Sequence, residues 1–267
     1  MTDGKAFLVV IVAAAAMVVA VFGALRFAGH ATDPLTAAGS GGAVSQSEME
    51  KVVHDYLMKN PQVILEAMQK YQDDQSKREI DVIREGVKNN ETELFREPNP
   101  LVAGNPDGDV TMVEFFDYHC PYCKKVRDEL VKLLNEDGKI RLVLKEFPIL
   151  TPESEMAARA AIAAHEQGKY WPMHLALLGS DDLSEAAIMA IAKQVGLDVE
   201  RLKKDMVDPK VQKRLERTMK LADSMQVKAT PTFIIGSEPA SGAYPVDKLK
   251  EMIAAARKKQ QASNQPR

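Results

Sequence analysis

The chain has 267 residues, 45% of them hydrophobic and 27% charged, which is enough for one well-buried domain with additions or for two small domains. A net charge of −3 excludes a nucleic-acid surface built on basic excess, and the run Arg257-Lys258-Lys259 reads as a solvated helix end. There are two cysteines, Cys120 and Cys123; a framework of structural disulfides needs more of them at longer spacings, so this pair is itself the candidate for chemistry.

Residues 6–25, AFLVVIVAAAAMVVAVFGAL, carry no charge. As a helix they span roughly 30 Å, the thickness of a bilayer's hydrocarbon core. Residues 1–27 are therefore expected to be a membrane anchor, with a signal peptide cut near Gly29-His30-Ala31 as the alternative. Residues 28–47, centred on Gly39-Ser40-Gly41-Gly42, read as a flexible linker.

Residues 48–97 read as a helical segment. Ser47 caps a helix starting at Glu48, with Glu50 completing a capping box, and Asn60-Pro61 interrupts it. A second helix carries Ile64, Leu65, Met68 and Tyr71, and the polar stretch Gln72 to Glu79 is expected to break its stripe. Ile80, Ile83, Val87 and Leu94 follow at coiled-coil-like intervals, with Asn90 in the remaining slot. These intervals predict self-association of the chain through 48–97, and packing on the chain's own main domain is the alternative.

From Pro98 the pattern alternates. Val110 to Phe116 is apolar on both faces, as a central strand is; residues 121–134 form a helix, Asp137-Gly138 a turn, and Ile140 to Phe147 a second strand. Strand, helix and strand in fewer than 40 residues make a βαβ unit with parallel strands. Residues 152–225 read as helices punctuated by Gly168, Gly179, Gly196 and Pro209. Thr232 to Gly236 returns as a strand, Ala240–Ala243 pairs with it, Val246 to Lys258 closes the domain, and 259–267 is expected to be a disordered tail.

Cys120 falls where the central strand hands over to a helix, and Pro121 suits the first helical position. Its sulfur then meets free backbone N–H groups and the positive end of the helix dipole, which favour the thiolate. Cys123, one turn further, is placed to resolve a mixed disulfide. Half a zinc site would need two more ligands, and His30, His54, His119, His165 and His174 show no metal-like spacing. A haem attachment needs His after Cys123, where Lys124 stands. The chemistry read here is thiol–disulfide exchange, which needs no cofactor and no metal. The competing reading is a module holding a soft ion such as Cu(I) on the same thiols. The 13 methionines do not separate the two, since most lie on apolar helix faces.

The run Glu114-Phe115-Phe116-Asp117-Tyr118-His119-Cys120-Pro121-Tyr122-Cys123 resembles the active-site region of the DsbA family of periplasmic thiol oxidoreductases, and a helical insertion before Thr230-Pro231-Thr232 looks like the same architecture. Val53-His54-Asp55-Tyr56-Leu57 and Asn60-Pro61 look like the N-terminal region of that family's ScsC-like branch, some members of which oligomerise through this segment. The resemblance implies an α/β thioredoxin fold over 98–258 with an inserted helical subdomain at about 152–225. It implies that Pro231 is a cis-proline docking substrate backbone beside the cysteines. It implies that Glu114 is a buried carboxyl aiding proton transfer at Cys123, with Lys145 on the next strand as its partner. His119, Pro121, Tyr122 and Thr230 are implied as tuning residues; Pro-Tyr in place of Pro-His implies a weaker oxidant, and Thr230 looks more like isomerase relatives. The implied partners are unfolded or misoxidised exported proteins and a membrane or periplasmic redox partner.

Overall fold

The computed structural model describes residues 45–242 and 244–264. The charge-free run 6–25 and the linker up to residue 44 lie outside the described residues, and among those described no helix is long and apolar enough to cross a membrane.

Residues up to Pro61 form one unit and Gln62 onward another. In the first, helix α1 (Gln46–Lys59) is capped by Ser45, not Ser47. The Ser45 hydroxyl accepts from the Glu48 N–H and the Glu48 carboxylate accepts from the Ser45 N–H, closing a capping box. The spacing Ser-x-x-Glu occurs twice in Ser45 to Glu50, and the earlier copy starts the helix two residues sooner. No residue of α1 is buried.

The second unit is built on a five-stranded sheet in the order β1-β3-β2-β4-β5, with β1 Val102–Gly104, β2 Val110–Phe116, β3 Ile140–Glu146, β4 Thr232–Ile235 and β5 Glu238–Ser241. Strands β2 and β3 run parallel, joined by helix α4 (Pro121–Asp137); the other pairs are antiparallel. Helix α4 stops at Gly138, whose φ of 64° closes the turn that a side chain would strain. Both faces of β2 are covered, which is why its apolar residues do not alternate with polar ones.

One face of the sheet presents Met112, Phe116, Leu142 and Leu144 to α4, to the closing helix α10 (Val246–Asn264) and to the inserted helices. These are α5 (Pro152–His165), α6 (Tyr170–Leu178), α7 (Glu185–Gln194) and α8 (Val199–Met206), followed by α9 (Pro209–Ser224). Thr151 caps α5, and six buried alanines between 157 and 164 let neighbouring helices approach it closely. Helix α10 runs six residues past Lys258, so residues 259–264 of the expected tail are helical.

The other face of the sheet revises the reading of residues 62–97. Helix α2 (Gln62–Asn89) is continuous through the polar stretch, where Gln69 bonds Asp73 and Lys70 pairs with Asp74 one turn on. Polar residues there make a solvated face rather than a break. Ile83, Val87 and Leu94, the last on α3 (Glu91–Phe95), are wholly buried against Val113, Phe115, Val143, Leu221, Met225 and Ile234. They are part of the domain's own core, not a seam for another copy, and Ile80 is half-exposed. Asn90 bonds Gly86 and Ser224 inside the domain. Gly86 permits the approach: a Cβ there would come 2.6 Å from Met225 Cα.

Candidate active site

Cys120 is the N-cap of α4, in extended backbone, with Pro121 at the first helical position. Its N–H donates to the Asp117 carbonyl at 3.1 Å. Cys123 lies one turn in, with no exposure, and Cys120 is 3% exposed; both are free thiols. The Thr230–Pro231 bond is cis, and the Cys120 sulfur lies 3.2 Å from the Thr230 carbonyl oxygen, to which it donates when protonated. The sheet and the helix start therefore bring Cys120, Cys123, Thr230 and Pro231 together.

The two sulfurs differ in acidity. The Cys123 thiol donates to the Cys120 sulfur, as do the Thr230 hydroxyl and the N–H groups of Cys123 and Tyr122; together they outweigh burial and lower the Cys120 pKa to about 6. Burial, then the bond to Cys120 and the nearby Glu114 carboxylate, push the Cys123 thiol well up. One thiol is thus ionised at neutral pH and the other holds its proton.

Glu114 is 1% exposed, on the same face of β2 as Met112 and Phe116. Burial and the Cys120 charge raise its pKa to about 8, and its Oε2 has no hydrogen-bond partner. A protonated carboxyl beside the second thiol is a group that can take up and return a proton near neutrality.

Lys145 does not pair with Glu114. The register sets Leu144 beside Glu114, so Lys145, one residue on, points to the opposite face. There its Nζ meets Glu97 Oε1 at 2.6 Å and the Glu93 carbonyl at 2.9 Å. Among the other residues implied as tuning groups, Tyr122 is exposed, and the His119 ring bonds the Thr151 hydroxyl at 3.0 Å.

Two groups escaped sequence reasoning. Asp117 is buried and accepts from His119, Ile149 and Leu150 N–H groups and from the Ser154 hydroxyl. Its one available signal was an acidic residue two positions before His119, an Asx-turn spacing. Glu146, also buried, accepts from the Tyr118 and Tyr170 hydroxyls at 2.9 and 2.8 Å, and burial raises its pKa to about 8. His174, bonded to Tyr118 at 3.1 Å, is held neutral by burial, its pKa near 3.

Comparison with known proteins agrees with this fold. Residues 96–255, more than half the chain, match the family model described as Thioredoxin. The chain belongs to the thioredoxin family. Residues 46–78 match the model of the copper resistance protein ScsC N-terminal domain. A thioredoxin-like oxidoreductase from Silicibacter pomeroyi is 43% identical, with a TM-score of 0.61 over 62% of this chain and 97% of that one. The thiol-disulfide exchange protein alpha-DsbA2 from Wolbachia pipientis is 27% identical, with a TM-score of 0.62 over 67% of this chain and 97% of that one. Among curated relatives, the Na(+)/H(+) antiporter NhaA 3 of Salinispora tropica is 33% identical over 158 residues, which are 58% of this chain and 24% of the antiporter. The chain thus spans about a quarter of the length of the curated relatives it matches. The names of the two similar structures, an oxidoreductase and a thiol-disulfide exchange protein, point to dithiol–disulfide exchange as the general reaction of these relatives.

Proposed function

We propose that this thioredoxin-family protein forms or isomerises disulfides in exported polypeptides, on the periplasmic side of the cell envelope, through Cys120 and Cys123. The observation that carries this reading is the placing of Cys120 at a helix start, its sulfur 3.2 Å from the Thr230 carbonyl oxygen, with Cys123 one turn in and the two thiols split in acidity. In the oxidised protein a substrate thiolate attacks the Cys120 sulfur, and Cys123 leaves with the bonding electron pair. Glu114 supplies the proton that Cys123 takes up. A second substrate thiolate then displaces Cys120, which leaves as its thiolate, so two electrons pass from substrate to protein; of the two protons the substrate thiols release, one re-protonates Glu114 and the other goes to solvent. Isomerisation is the same attack begun by the reduced Cys120 thiolate. Export is supported by residues 6–25 and by the need of a disulfide-forming pair for an oxidising compartment. Equilibration with glutathione tests this reading: a reduced-to-oxidised ratio that responds to glutathione poise supports it, and cysteines that stay reduced against excess glutathione disulfide overturn it.

A copy of the chain is the proposed oligomeric partner. With Ile83, Val87 and Leu94 used in the core, the apolar side chains left exposed include Val52, Val53 and Tyr56 on α1 and Ile64, Leu65 and Met68 on α2. Light scattering of the protein lacking residues 1–44 tests it, and a monomeric mass removes it. Copper binding is the second reading, favoured by the ScsC match over 46–78. About one Cu(I) per reduced protein with no turnover of a scrambled disulfide substrate would establish it instead.

A further inference from the structure

Asp117 has four hydrogen-bond donors on its carboxylate, and all are neutral. Oδ1 accepts from the His119 N–H at 2.7 Å and the Ser154 hydroxyl at 2.6 Å; Oδ2 accepts from the Ile149 N–H at 2.8 Å and the Leu150 N–H at 3.0 Å. The side chain is 1% exposed, so these donors replace the water that a carboxylate otherwise needs. They come from three places: the cysteine loop, the loop after β3, and the first turn of α5.

The main chain of the same residue faces the cysteines. Its carbonyl accepts from the Cys120 N–H at 3.1 Å, and its N–H donates to the Cys123 sulfur. Ile149 and Leu150 meanwhile have their N–H groups turned inward and their side chains outward, 37% and 49% exposed. The His119 ring, bonded to Thr151, ties the same two loops a second time. An apolar rim is therefore held in fixed register with the attacking sulfur, and one buried carboxylate fixes both.

We infer that Asp117 is a positioning residue that locks the Ile149–Leu150 rim to the Cys120 loop, so that a polypeptide bearing an apolar side chain next to its cysteine docks in register with the Cys120 sulfur. This rests on the exchange reading above. A small disulfide has nothing to place on the rim, so it reacts without this help. A peptide spends its binding energy there to align the reacting sulfurs.

Asp117→Asn keeps the size and offers one oxygen and one NH2, so whichever way the amide turns at least one backbone N–H, that of His119 or those of Ile149 and Leu150, faces another donor. The test compares wild type and Asp117→Asn in exchange with glutathione disulfide and with two short peptides, one with Leu and one with Gly beside the cysteine. For the Leu peptide KM rises on the order of tenfold in the variant, well beyond the change in rate with glutathione, because the misplacement acts on substrate alignment. Wild type prefers the Leu peptide and Asp117→Asn loses that preference. An equal fall for glutathione and both peptides, or an unchanged peptide preference, overturns the inference.

If Asp117→Asn does not fold, Ile149→Ser with Leu150→Ser keeps all four donors and alters only exposed side chains. That double variant also loses the Leu-over-Gly preference, and a wild-type preference there overturns the inference. Wild-type protein that exchanges with neither glutathione nor peptide would remove the exchange reading itself. Wild-type exchange without a Leu preference removes this inference alone.

Discussion

Lys145 and Glu97 form a buried ion pair, 2.6 Å from Nζ to Oε1, on the face of the sheet opposite the cysteines. Both side chains are nearly inaccessible, 2% and 6% exposed. Truncating one partner strands the other charge, so Lys145→Met is expected to cost about 3–5 kcal/mol of stability. It leaves the Cys120 thiolate titration where it was. Urea unfolding and a thiolate absorbance titration check the two halves, and a shift of the Cys120 midpoint would tie Lys145 to the site after all.

Cys123→Ala is expected to accumulate substrates on Cys120 as reducible adducts, because no second thiol can release them. Cys120→Ala accumulates none, since the remaining thiol is buried and keeps its proton. Mass spectrometry of the trapped species decides between the two; adducts on Cys123 would reverse the roles.

The reduced and oxidised forms are expected to diverge in stability with pH. Cys120 is ionised above about 6 in the folded reduced protein, against an ordinary value of 9.0. A depressed acid stabilises fully above its unfolded pKa and loses that contribution as pH falls through its folded one. The oxidised form has no such thiol. Reduced-minus-oxidised stability therefore climbs from about pH 6 towards 9, by on the order of 4 kcal/mol in full. Denaturant unfolding of both forms between pH 6 and 8.5 measures it, and a flat difference refutes the low Cys120 pKa.

Glu114→Gln has the opposite sign. A raised carboxyl is harmless below its unfolded value of 4.5 and costs stability as pH rises to about 8. The variant carries no such charge, so its advantage over wild type grows from pH 4.5 to 8 and then levels off. Resolution of mixed disulfides slows by on the order of 10²-fold, the usual contribution of a positioned proton carrier. Stopped-flow rates at pH 7 test this, and an unchanged rate makes Glu114 a bystander to the chemistry.

What the sequence revealed divides along physical lines. The βαβ unit and Cys120 at its helix start were legible because continuous apolar runs flanking a helical stripe, Pro121 and a close Cys pair are local signals. The apolar stripe Ile83, Val87 and Leu94 was legible as something buried, but helical spacing does not say against what. Lys145 was assigned to the wrong face, since only the register with β2 decides which face a strand residue shares. Asp117 and Glu146 were missed because their donors, Ile149, Leu150 and Ser154 for one and Tyr118 and Tyr170 for the other, lie 24 to 37 residues away in sequence. A buried carboxylate is set by such partners, not by its neighbours in the chain.

That distinction fixes where the chain can be cut. Removing residues 1–61 takes away α1 and no buried residue of the described chain. The remaining protein is expected to fold and to keep its exchange activity with glutathione. Removing 48–97 instead takes Ile83, Val87 and Leu94 out of the face beneath the sheet, together with Glu97, the partner of Lys145. Three wholly buried side chains at about 1.5–3 kcal/mol each, with a stranded buried ammonium besides, rival the 5–15 kcal/mol by which a domain is stable. The longer deletion is therefore expected to unfold, and not to yield the folded monomer that a free-standing helical stalk would leave behind. Circular dichroism melting of both truncations tests the boundary. A cooperative transition in the protein lacking 48–97, near that of the protein lacking 1–61, would show that α2 and α3 are dispensable to the core.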